Sequence, residues 1–215
     1  MRELLARWFG GGEAVALRAV RWVVVDCETS GLDAARDRLL AVGAVAVRGG
    51  RIVLGESFSA ALRQDVASDA ANILVHGIGG DAQAGGRAPG DALRDFSAFL
   101  GEGLPVAFHA PFDAAVLRRA MAAAELAVPA RWLDAARLAP ALFPSAGPAK
   151  GARRALDDWL VEFGIACPRR HDALADAYAT AQLLLVLLAE AERQGAGTVD
   201  RLRKLERSGR WIGSG

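Results

Sequence analysis

The sequence predicts an α/β domain built as one sheet with helices on its faces. Three observations carry that reading. A valine-rich run at 21–27 and an apolar stretch at 38–47 precede Gly49-Gly50 and a third strand-like segment at 52–58, a pattern that reads as antiparallel strands with a hairpin. Downstream, a short apolar strand at 106–108 gives way to helical spacing, so strand and helix alternate. The 215 residues are 53% hydrophobic, ample for a single core.

Along the chain, residues 1–9 have the spacing of a short amphipathic helix, with Leu4, Leu5, Trp8 and Phe9 on its apolar side and three glycines ending it. Residues 60–90 are rich in alanine and glycine and show no clear period apart from the island NILVHGIGGD. Helical patterns cover 92–100, 111–124, 133–142, 153–164 and 173–193, with Pro129, Pro140, Pro144, Pro148 and Pro168 marking breaks. Residues 147–151 read as a surface loop. Residues 198–210 form a basic amphipathic pattern with Val199, Leu202 and Leu205 on one side. The resulting division is an N-terminal helical extension over 1–20, a main domain over 21–193 and a basic helical tail over 194–215.

The 26 basic and 25 acidic residues nearly cancel, so no global field favours coating duplex DNA or a membrane. Cys27 and Cys167 are too few for a disulfide framework. MRELLARWFGGG has too short an apolar run for a signal peptide, and no later stretch reads as an uninterrupted span. The expectation is a cytoplasmic protein with no membrane partner.

The chemistry concentrates in three segments. In VVVDCETSGL, side chains alternate along a strand, so Asp26 and Glu28 share a face while Cys27 points to the other. Two carboxylates so placed suit a hard divalent cation, although a solvated strand end explains Asp-x-Glu equally well on its own. In AFHAPFDAAVL, Asp113 lies at a strand-to-helix junction, where it either favours the helix dipole or joins a site. In RRHDALADAYATAQLLLVLL, Asp172 is a plausible N-cap and Asp176 falls among alanines on an apolar helix, where a buried acid needs a partner or a metal. His171 precedes Asp176 by five residues, about 140° apart on a continuous helix at ~3.6 residues per turn, so the histidine belongs to the lead-in loop. Several carboxylates with a histidine fit phosphoryl displacement between two divalent ions, with the imidazole as base.

DCETSGLD, FHAPFD and HDALAD, in that order, resemble the three motifs of the DEDD superfamily of 3′–5′ exonucleases, histidine variant, across residues 22–190. The resemblance implies an RNase H-like fold, a five-stranded mixed sheet flanked by helices on both sides. It implies that Asp26, Glu28, Asp113 and Asp176 hold two Mg²⁺ or Mn²⁺ ions and that His171 is the general base. VHGIGGD is similar to a segment of the epsilon-like branch in which a Val-His pair, here Val75 and His76, lies beside the terminal nucleotide. By the same likeness, backbone around Thr29 and Gly31 meets the terminal 3′-hydroxyl, and Leu32 and Phe112 touch the last bases, ordinary core packing being the alternative for both. His109 replaces the family's asparagine, either as a satisfied buried histidine or as a second substrate contact. Among the basic pairs Arg118-Arg119, Arg153-Arg154 and Arg169-Arg170, the last, with Arg170 beside the site, is the one expected to meet phosphate.

These readings imply a metal-dependent 3′–5′ exonuclease acting on single-stranded or frayed nucleic-acid ends, DNA favoured over RNA, with the terminal helices as docking points for a protein partner. An exoribonuclease, a phosphoesterase acting on small nucleotides and a non-catalytic nucleic-acid-binding module are the rivals.

Overall fold

Strand β1, Trp22–Thr29, forms the middle of a five-stranded sheet. It carries both acids of the first motif inside the strand, which runs two residues beyond the expected 21–27 before a register shift between Glu28 and Thr29. Strand β2, Leu39–Arg48, pairs antiparallel with it, and Gly49 and Gly50, both at positive φ, turn the chain into β3, Arg51–Ala61. On the other side of β1, strands β4, Leu104–Ala107, and β5, Leu133–Asp134, add in parallel, giving the order β3-β2-β1-β4-β5. The computed structural model describes residues 14–127, 129–146 and 154–208, so the expected helix over 1–9 and loop over 147–151 lie outside the described residues.

Helices cover both faces, as the fold expectation requires. α1, Ala70–His76, and α2, Gly80–Ala84, stand in and around the island NILVHGIGGD, and neither reaches two full turns. α3, Pro89–Leu100, and α4, Ala110–Ala122, pack on the face formed by Val23, Val25, Cys27, Val42 and Ala44. α5, Ala135–Leu142, α6, Leu156–Glu162, α7, Ala173–Arg193, and α8, Val199–Ser208, build the opposite layer over Trp22, Val24, Val45 and Val47. The parity of β1 is therefore strict: even-numbered residues face α7 and odd-numbered ones face α3 and α4.

Two expectations are corrected. Residues 133–134, read as helix, form β5, because Leu133 pairs with Val106 and Asp134 caps α5 by accepting the Ala136 N–H at 3.1 Å. Pro140, read as a break, lies inside α5, two residues before its end at Leu142. The amphipathic pattern over 198–210 forms α8, whose Val199 and Leu202 are buried in the same core as α5 and α7. Among the described residues α7 alone is long and apolar enough to span a membrane, and its Leu183, Leu184 and Leu187 are instead fully buried against the sheet.

Candidate active site

Asp26 and Glu28 lie on the even-numbered face of β1, where α7 begins. Oxygens of Asp26, Glu28 and Asp176 come within 4.8 Å of one another, and Glu28 and Asp176 are buried. What lets α7 descend this far is Gly43, the partner of Asp26 across β1 and β2. A Cβ at Gly43 would meet the backbone of Ala173 and Leu174 at 2.3 Å, so only glycine admits the first turn of α7 against the strand. The Asp172 carboxylate caps that turn by accepting the Ala175 N–H at 3.0 Å.

Asp113 reaches the site from the opposite layer. It is buried on the first turn of α4 and bears on Asp26 and on Cys27. It stands outside the three-carboxylate group, so the four acids divide as three and one.

The acids repel one another at low exposure to water. Burial, followed by the charges of Asp113, Asp176 and Glu28, holds Asp26 well above the usual carboxylate range. Burial, then Asp176 and Asp172, pushes Glu28 up to about 7, and burial pushes Asp113 up to about 8 against the hydrogen bond from Cys27. A set of crowded oxygen donors with no apolar exit is the donor chemistry of a hard divalent cation. In the protein alone Arg170 supplies part of the missing positive charge, its guanidinium pairing with both Asp176 and Asp157. The arginine expected to meet phosphate is thus also a counter-ion of the carboxylate group.

His171 sits in the loop before α7, as the 140° separation requires, exposed and at positive φ. Its backbone N–H donates to Asp176 Oδ2 at 3.0 Å, which anchors the loop to the acid while leaving the imidazole outside that bond. Facing it is the segment after β3. Asn72 Nδ2 donates to the Thr29 carbonyl at 2.9 Å, and its Oδ1 accepts from His76 Nε2 at 2.7 Å. The Ile78 N–H donates to His76 Nδ1 at 2.9 Å, fixing the tautomer. His76 is therefore a buried clip that ties α1 to the end of β1, with both nitrogens engaged. Burial, then His171, lowers its pKa.

The apolar residues divide clearly. Leu32 is 93% exposed and Val75 54%, which excludes core packing for both. Leu74, which the sequence reading passed over and which precedes Val75, is 86% exposed. Phe112 is half-buried against the α3 side of the core. The Thr29 hydroxyl donates to the Gly31 carbonyl at 2.6 Å, shaping the turn that presents Leu32. His109 is exposed rather than buried; it caps α4 in a left-handed conformation, its N–H donates to Asp134 Oδ1 at 3.2 Å, and its ring meets the edge of Phe108. Arg154 bonds Glu162 at 3.0 Å and lies over Trp159, so it serves α6 rather than a substrate; Arg153 lies outside the described residues.

Sequence reasoning missed Gly43, Asn72, Asp134 and Asp157. Gly43 leaves a trace as the one residue without a side chain inside the apolar run LLAVGAVAV, and Asn72 falls inside the island NILVHGIGGD.

Known proteins share this fold. A DNA polymerase III subunit epsilon-like protein of Rhodobacter capsulatus is 34% identical over 206 residues, covering 91% of this chain and 28% of that protein. The chain thus spans under a third of that relative's length. E. coli exonuclease I, solved in complex with a dT13 oligonucleotide, has the same fold at a TM-score of 0.68 and 20% identity, over 81% of this chain and 42% of that one. Exonuclease X, solved with 5′ overhanging duplex DNA, gives a TM-score of 0.63 at 22% identity over 84% of this chain and 99% of its own. Residues 23–184, a stretch holding every acid and histidine placed above, match the model of the RNase T exonuclease family, and the chain belongs to that family.

Proposed function

We propose that this chain hydrolyses phosphodiester bonds from the 3′ end of single-stranded or frayed DNA and releases nucleoside 5′-monophosphates. The observation that carries the reading is the meeting of Asp26, Glu28 and Asp176 on one face of β1, with Asp113 arriving from the other layer. These carboxylates would hold two divalent ions, Mg²⁺ or Mn²⁺, which when bound supply Lewis-acid stabilisation of phosphate oxygens and an acidified water. The chain's own residues do the rest. Exposed Leu32, Leu74 and Val75 give apolar surface for the terminal bases, a sequence-tolerant contact. The loop clamped by Asn72 and His76 holds the end of β1 where the 3′-terminal sugar would lie. The His171 imidazole accepts a proton from the attacking water; the new P–O bond forms as the P–O3′ bond breaks, and the 3′-oxygen takes up a proton. Arg170 leaves Asp176 for a substrate phosphate once cations neutralise the acids.

The test is a degradation assay with 5′-labelled single-stranded DNA and RNA, with and without Mg²⁺ or Mn²⁺. The expected result is a ladder shortening from the 3′ end with metal only, faster on DNA. Faster shortening of RNA would make the chain an exoribonuclease. Binding of either polymer without shortening would make it a binding module and remove the catalytic reading.

A further inference from the structure

A cavity of about 440 Å³ lies beside α4, between that helix, the segment leading into β5, and α8. Ala110, Ala114 and Arg118 line it at successive turns of α4, about 100° round the helix from Asp113 at ~3.6 residues per turn. It is therefore separate from the carboxylate group but shares the helix that delivers one of the four acids.

Its wall is strongly cationic. Arg118, Arg131, Arg137, Arg203 and Arg207 border it, against two carboxylates, Asp134 and Glu206. Both acids are engaged within the protein. Asp134 accepts the His109 and Ala136 N–H groups and pairs with Arg137 at 3.3 Å, while Glu206 accepts the Asp134 N–H at 3.0 Å. Arg203 and Arg207, four apart on α8, are neighbours of like charge on one helix face. Burial works against the charge of Arg203, and Arg131 and Arg207 add to that effect while Glu206 opposes it. Arginine's planar fork matches phosphate oxygens, and a phosphate would relieve this crowding.

The remaining wall distinguishes nucleic acid from an acidic peptide. Trp132 lines the same cavity, and its indole N–H donates to the Pro129 carbonyl at 3.1 Å, which fixes the ring. A fixed aromatic surface beside several guanidinium groups is the combination that holds single-stranded nucleic acid, a base against the ring and its phosphate among the cations.

We propose that this cavity is a second nucleic-acid subsite, taking a backbone phosphate of the bound strand away from the scissile bond. The inference rests on the exonuclease reading above. It gives the chain a hold on a long substrate that a dinucleotide cannot use.

The experiment uses the full chain with Ca²⁺ in place of Mg²⁺ and measures binding of a labelled oligothymidylate of about twenty residues and of a dinucleotide by anisotropy across a salt series. The double variant Arg118→Ala/Arg207→Ala, both at exposed helix positions, is expected to bind the long strand about tenfold more weakly. Its plot of log affinity against log salt should be shallower by at least ~0.7, one phosphate contact on a single strand. Dinucleotide affinity should change by less than about twofold, and Arg118→Lys/Arg207→Lys should restore the slope. An unchanged slope and long-strand affinity, in a protein that still shortens DNA from its 3′ end, overturns the subsite and leaves the exonuclease reading standing. Equal loss on the dinucleotide also overturns it, as does a variant that keeps DNA binding but loses binding of a polyglutamate peptide. A wild-type protein that neither binds nor shortens either polymer overturns both.

Discussion

Replacing Gly43 with alanine adds one methyl group where the structure leaves no room. The new Cβ would stand 2.3 Å from the Ala173 carbonyl carbon and the Leu174 nitrogen, against 3.4–4 Å for ordinary contact. The first turn of α7 must therefore retreat by roughly 1 Å, or β2 must bow by the same amount, the usual response of an overfilled core. Overpacking of this kind costs ~1–3 kcal/mol, which for a domain of this size lowers Tm by several degrees. The larger effect falls on the site, because the displaced turn carries Asp172 and Asp176 and is tied to His171. A misplacement of about 1 Å in a catalytic group can cost on the order of 10²-fold in rate. The assay pairs thermal unfolding with kcat on single-stranded DNA in Mg²⁺. Gly55→Ala on β3, where a Cβ meets nothing within 4 Å, serves as the control and should change neither. Wild-type kcat and Tm for Gly43→Ala would refute the claim that this contact sets the position of Asp176.

Three further outcomes are expected. In the metal-free protein Glu28 and Asp113 are held at about 7 and about 8 by burial, above their ordinary 4.5 and 3.8, so the folded state retains protons that the unfolded chain has lost. Stability should therefore fall as pH rises from about 4 to about 8, with Glu28 alone contributing ~3 kcal/mol at 1.36 kcal/mol per pKa unit. Mg²⁺ should raise Tm more at the alkaline end of that window than at the acid end, and a flat metal-free Tm would contradict this. His171→Ala should lower kcat by ~10²–10⁴-fold while metal affinity, read by calorimetry, stays within about threefold; unchanged kcat removes the imidazole from the reaction. Arg170→Ala should lower the metal-free Tm and tighten Mg²⁺ binding, because Asp176 loses the guanidinium that competes with the ion, and weaker Mg²⁺ binding would contradict that competition.

The carboxylates were legible because strand alternation and motif spacing are local properties. Alternation put Asp26 and Glu28 on one face, resemblance to the three-motif pattern joined Asp176 to them, and the structure brings their oxygens together. The central strands and α7 were legible for the same reason, since a run of three valines opening an eight-residue strand and a 21-residue apolar helix are both local signals. What could not be read is what depends on a neighbour distant in sequence. The two residues of β5 are strand only because β4 lies beside them, and α1 and α2 are too short to show a period. Arg170 reads as a free cation until the fold places Asp157 and Asp176 against it, and nothing local to Gly43 says which helix occupies its missing side chain.

The division of the acids between two layers has a practical meaning. Asp26 and Glu28 ride on the sheet, Asp176 on the helix layer above it and Asp113 on the layer below. An ion held by these acids would join separately packed pieces, so its affinity would measure how well those pieces are registered. Core substitutions on either face, such as Leu117→Ala below or Leu183→Ala above, should loosen the ion before they unfold the chain. Titration with Mn²⁺ would then serve as a gauge of packing on both sides of the sheet, more sensitive than melting because it responds to alignment and not only to cohesion.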